Sequence, residues 1–103
     1  MGCKNCAELS TETTFHSPPE ALHFVAQLKQ AVRNNVLQYN SFQSDREVPG
    51  QTTFMEIANF YGKLPRTMVH HFDCRECGNV YTLRDEGSSG NNVRWYRAGN
   101  LKR

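Results

Sequence analysis

Apolar residues recur at helical spacing early in the chain. Ala21, Val25, Leu28 and Val32 follow i, i+4, i+7, i+11, with Phe24 and Ala31 beside that stripe and Gln27, Lys29, Gln30 and Arg33 on the other side. Just ahead, Ser17-Pro18-Pro19-Glu20 places serine as N-cap, proline at the first helical position and glutamate three residues after the serine, which is a capping box. Asn34-Asn35 closes the pattern, because asparagine tolerates the left-handed cap conformation, and Val36-Leu37 then turns inward. The spacing predicts one amphipathic helix over 18–34. Before it, LSTETTF alternates Leu9 and Phe15 with small polar residues and is rich in threonine, which suits a short strand.

Downstream, 40–51 is polar and carries the turn signal Pro49-Gly50, so it reads as a loop long enough to serve as a contact surface. Thr53-x-x-Glu56 repeats the capping-box pattern ahead of Phe54, Ile57, Ala58 and Tyr61, predicting a short second helix that Gly62 ends. Beyond Pro65, strand character appears over 67–72, 80–84 and 93–97, with the flexible stretch DEGSSGNN between the last two. These elements, taken with the Cys-x-x-Cys pairs at Cys3/Cys6 and Cys74/Cys77, predict an α+β fold: a small antiparallel zinc-ribbon-like sheet with an inserted amphipathic helix and a short second helix. A single domain spans 1–103, with the helical insertion at about 17–62.

Composition narrows the class. At 103 residues the chain has room for one small core, which leaves little margin without an added staple. Hydrophobic residues at 38% and charged residues at 21% suit a folded soluble domain, and a net charge of +2 is too mild for a general nucleic-acid binder. The first residues lack a secretory apolar core and no run approaches a membrane span, so a cytoplasmic protein is expected. Gly2 and Cys3 do not make an acylation site, since position 6 holds Cys6 where that pattern wants serine or threonine.

All four cysteines fall in two C-x-x-C pairs, Cys3/Cys6 and Cys74/Cys77. A reducing compartment argues against disulfides, which leaves metal or redox chemistry. In C-x-x-C-G two sulfurs converge on one side of a tight turn while glycine takes the positive φ, so Cys74-x-x-Cys77-Gly78 reads as a zinc knuckle. Cys3/Cys6, followed by Ala7, is the looser copy. The expected cofactor is structural Zn2+ held by Cys3, Cys6, Cys74 and Cys77. The two pairs lie far beyond the roughly 15–20 residues that commonly separate such pairs, so the metal would tie the N-terminus to the C-terminal sheet. A thioredoxin-type redox pair fits less well, because neither pair opens a helix after a buried strand. His70 and His71 adjoin the knuckle, but on a strand they point to opposite faces, so at most one could replace a cysteine ligand. His16 and His23 belong to no visible constellation. No nucleophile triad, phosphate loop or paired-carboxylate motif stands out, and the chain does not read as an enzyme.

Several features taken together carry a resemblance: the C-x-x-C pairs, Phe15-x-Ser17-Pro18 opening a helix, Asn34-Asn35-x-Leu37 after it, His71-Phe72-x-Cys74-x-x-Cys77-Gly78, and the stretch from Gly90 to Trp95. The chain resembles a group of small bacterial proteins with zinc-ribbon-like paired cysteines, a group that includes immunity proteins encoded beside polymorphic antibacterial toxins. The resemblance implies a protein that binds its cognate toxin and blocks the toxin's active site, whatever the toxin's chemistry. Such an inhibitor uses a charge-complementary surface with aromatic anchors. Candidates are Tyr39, Phe42, Asp45, Arg46 and Glu47 in the central loop, and Trp95, Tyr96 and Arg97 near the C-terminus. The alternative is a nucleic-acid-binding zinc ribbon, in which Arg94, Trp95, Tyr96, Arg97, Lys102 and Arg103 interleave basic and aromatic groups. A zinc-stabilised subunit of a larger assembly is a third reading.

Overall fold

The computed structural model describes residues 9, 11–49, 51, 54, 67–88 and 90–100. In chain order these form β1 (Thr13–Phe15), α1 (Pro18–Arg33), β2 (Leu37–Asn40), α2 (Ser41–Glu47), β3 (Thr67–Cys74), β4 (Asn79–Glu86) and β5 (Val93–Asn100). The strands make a single five-stranded antiparallel sheet in the order β1-β5-β4-β3-β2.

This corrects the expected fold class. The molecule is dominated by one broad antiparallel sheet with one substantial helix, instead of a small ribbon carrying two helices. Residues 37–40, placed by the sequence reading within the helical insertion, form β2, an edge strand paired with β3. Residues 41–47, read as loop, form the seven-residue α2. The second helix expected near Thr53 and Glu56 lies outside the described residues, apart from Phe54, which is buried. The reason for the misreading is length: four residues of alternating Leu37-Gln38-Tyr39-Asn40 carry too little periodicity to register as a strand. They become one because their inward side chains meet β3 opposite Cys74 and Phe72.

α1 begins and ends where its sequence dictates, although not through every device expected. Ser17 is the N-cap with an extended backbone and prolines follow it, yet its side chain makes no capping hydrogen bond. The capping box is therefore not formed. At the other end the amides of Asn35 and Val36 donate to the carbonyls of Val32 (3.1 Å) and Ala31 (2.9 Å), with Asn35 at φ 61°. That is a Schellman motif with asparagine at the left-handed position.

The helix lays Ala21, Val25 and Leu28 onto the face of the sheet from which Leu37, Phe72, Cys74, Tyr81, Leu83, Val93 and Trp95 project. Aromatic rings dominate this core. Trp95 is 1% exposed, stacks on Tyr81 at 5.2 Å and meets Phe24 edge-on at 5.1 Å, while Phe72 packs against Phe54 at 4.8 Å. The indole Nε1 donates to the carbonyl of Leu9 at 2.7 Å, tying the chain ahead of β1 to the same core.

β2 is shorter than β3, and side chains continue the pairing where it stops. Ser44 Oγ accepts from the amide of His71 at 2.9 Å. The Gln51 carboxamide then brackets Val69, accepting from its amide at 3.1 Å and donating to its carbonyl at 2.9 Å, as a strand's backbone would. This caps an edge that would otherwise present bare donors and acceptors. Gln51→Ala is expected to cost about 1–3 kcal/mol by stranding the polar groups of Val69, read from the midpoint of urea unfolding.

Candidate metal centre and interaction face

β3 ends at Cys74, the chain turns over Arg75, Glu76 and Cys77, and β4 starts after Gly78. The amide of Gly78 donates to the carbonyl of Cys74 at 3.0 Å with Gly78 at φ 80°, a backbone that disfavours any side chain. Asn100, at the end of β5, clamps the turn by donating to the carbonyl of Cys77 at 3.1 Å. Cys74 projects into the core at 2% exposure and Cys77 is half-buried. The tight turn and the positive-φ glycine expected from Cys-x-x-Cys-Gly are thus present at this hairpin. Cys3 and Cys6, the other expected ligands, lie outside the described residues. Among the described residues no three His, Cys, Asp or Glu side chains converge closely enough to hold a metal.

The two histidines of β3 occupy opposite faces, as strand alternation requires. His70 sits on the core side, fully buried between Tyr39 and Phe54, and its Nδ1 shares a 2.8 Å hydrogen bond with the hydroxyl of Tyr39. Burial, assisted by the neighbouring His71, pushes its pKa from 6.5 down to about 4. His71 is 7% exposed on the other face, with Nδ1 at 2.9 Å from Thr82 Oγ1 and Nε2 at 3.6 Å from Glu47 Oε1. Burial also lowers its pKa, against the opposing pull of Glu47.

A core histidine that must stay neutral makes stability depend on pH. The folded state of His70 binds its proton only near pH 4, whereas the unfolded chain binds it near 6.5. Stability is therefore complete above 6.5 and is lost as the pH falls towards 4, by up to about 3 kcal/mol. Denaturant unfolding at neutral and acidic pH checks this, and His70→Phe is expected to remove most of that slope.

The sheet face opposite α1 carries the remaining chemistry. Register places Thr82 and Arg84 of β4 beside Tyr96 and Arg94 of β5. Arg84 Nε donates to the Tyr96 hydroxyl at 3.0 Å, its terminal nitrogens lie 3.1 Å from Glu86 Oε1 and 3.8 Å from Glu47 Oε2, and the guanidinium of Arg94 sits 5.0 Å above the Tyr96 ring. The result is a preordered array in which one tyrosine positions two arginines, one through its hydroxyl and one through its ring. A cleft of about 230 Å³ opens beside it, lined by Glu12, Thr13, Thr14, Arg94, Trp95 and Tyr96, and a shallower one of about 320 Å³ is lined by Gln43, Arg46 and Glu47.

The residues singled out as partner contacts separate accordingly. Tyr96 and Arg94 lie where the face opposite α1 stays open among the described residues, Glu47 reaches over that face from α2, beneath which His71 and Thr82 are buried, and Arg46 and Arg97 are exposed. Tyr39 and Trp95 are core side chains. Phe42 and Asp45 fall on α2, but their side chains lie outside those described. Arg84 was not singled out from sequence. Its signal is the alternation along β4, where Tyr81 and Leu83 face inward and Thr82 and Arg84 face out.

Among the described residues no helix is long and apolar enough to cross a membrane. Comparison of the chain with protein-family models, with curated proteins and with solved structures finds no match.

Proposed function

We propose that this chain is a non-catalytic immunity protein that binds a cognate bacterial toxin one-to-one in the cytoplasm and covers its active site, on a fold stapled by structural Zn2+. The observation that carries this reading is the part of the sheet face opposite α1 left open among the described residues, where Arg84, Tyr96 and Arg94 hold one another in place and Glu47 and Glu86 add the opposite charge. Preordered arginines around an aromatic lose little side-chain entropy on binding, and mixed charge selects a complementary protein surface. The resemblance carried by the paired cysteines points the same way.

For the metal, Cys74 and Cys77 would supply two thiolates from the knuckle, and Cys3 and Cys6 the other two. Leu9, three residues beyond Cys6, is held by Trp95 on the same face of the sheet from which Cys74 projects. When bound, the ion would serve as a cross-link between chain segments distant in sequence.

A second reading draws on Arg94 over Tyr96, an arrangement suited to stacking a nucleobase. The carboxylates of Glu47 and Glu86 flanking Arg84 oppose it, since they repel a phosphate track. Co-expression with the product of the adjacent gene, followed by calorimetry, tests the choice. A one-to-one complex is expected, tolerant of salt and weakened about tenfold or more by Arg94→Ala or Tyr96→Ala. Absence of a complex, together with binding to generic single-stranded RNA that collapses between about 50 and 200 mM salt, overturns the immunity reading.

A further inference from the structure

β1 ends the sheet: β5 lies on one side of it, and among the described residues no strand lies on the other. Its residues and their flanks, from Thr11 to Thr14 and at His16, are exposed. At the same edge Phe15 and Phe24 are only half-buried, their rings 4.8 Å apart. An edge whose outer side pairs with no strand among the described residues, with a partly wet apolar pair and no bulge or proline within it, is a template for another strand.

The side chains decide which strand it fits. Glu12, Thr14 and His16 alternate onto the open-face side, and among the described residues neither Glu12 nor His16 takes part in an ion pair. In an antiparallel pairing of β1 with a copy of itself about Thr14, Glu12 falls opposite the copy's His16, Thr14 opposite Thr14, and Thr13 opposite Phe15. The pattern is its own complement, which is the requirement for an isologous two-fold interface. It yields two Glu–His pairs and a Thr–Thr pair, and makes the two Phe15 rings diagonal neighbours within reach of each other.

We propose that β1 is a self-association edge, through which two copies of this chain pair antiparallel about Thr14 and join their sheets into one continuous ten-stranded sheet. The inference rests on β1 alone and is independent of the partner bound by the open face. The contact is small, so the dimer is a weak one that forms with rising concentration.

Sedimentation equilibrium of the purified protein over a wide concentration range, with circular dichroism to confirm that each variant is folded, tests it. The expected result is a monomer–dimer equilibrium in which Glu12→Lys and His16→Glu each raise the dissociation constant about tenfold. The double variant, which swaps the charges across both symmetric pairs, is expected to return the constant close to its original value. A protein that stays monomeric at high concentration, a dimer indifferent to both single changes, or a double variant no better than either single one each overturns the proposal.

Discussion

Treating the purified protein with a strong zinc chelator is expected to unfold it, with loss of the sheet signal and of about one equivalent of zinc. The expectation follows from magnitudes. A domain of this size is stable by about 5–15 kcal/mol, while structural zinc in small thiolate sites carries roughly 10–16 kcal/mol of apparent binding energy, so the staple is of the same order as the whole margin. Single substitutions sharpen the test. Cys77→Ser, at a half-buried position, would remove a proposed ligand with little loss of packing, whereas Cys74→Ser also buries a hydroxyl in the core. Cys6→Ser is the decisive variant, because the metal reading alone assigns this residue a role in the fold. If it leaves zinc content and stability unchanged while Cys77→Ser abolishes both, the N-terminal half of the metal clip is wrong.

Trp95→Ala is expected to be the most damaging single change in the described core, at about 3–5 kcal/mol. The indole stacks on Tyr81, meets Phe24 edge-on, lies 5.8 Å from Phe72 and donates to the carbonyl of Leu9. Deleting it breaks the contact between α1 and the centre of β5 and releases the segment before β1. Trp95→Phe separates these roles: it keeps a ring in the cavity but removes the donor, and is expected to cost about 1 kcal/mol for the hydrogen bond, plus the packing of the smaller ring. Thermal or urea unfolding of the two variants checks the ranking. Near-equal losses would show that the Leu9 tether, and not ring packing, dominates.

Both predictions turn on side chains whose placement could be read only partly from the chain. Trp95, Tyr96 and Arg97, adjacent aromatic and basic residues on the expected strand 93–97, form one set of contact candidates by sequence. On a strand they cannot share a face. Trp95 goes inward against α1 while Tyr96 goes outward, where it gathers Arg84 from the neighbouring strand. Tyr39 was grouped with the central loop on polarity, but β2 turns it towards His70 and Phe72. In both cases the partner that fixes the side chain is remote in sequence, so local composition was silent about it.

Local sequence by itself determined the features that close within a few residues. These are the amphipathic α1 with its Asn34-Asn35 end, the strands on either side of the Cys-x-x-Cys-Gly turn, and the positive φ of Gly78 within it. Their hydrogen bonds and periodicities span single turns, and residue chemistry at that range is nearly unambiguous. Tertiary structure alone decided that 37–40 is a strand, that β1 and β2 lie at opposite edges of one sheet, and which face α1 covers. Those outcomes depend on pairing segments far apart along the chain. Each is settled by the burial that the pairing achieves, a quantity no short stretch of residues contains.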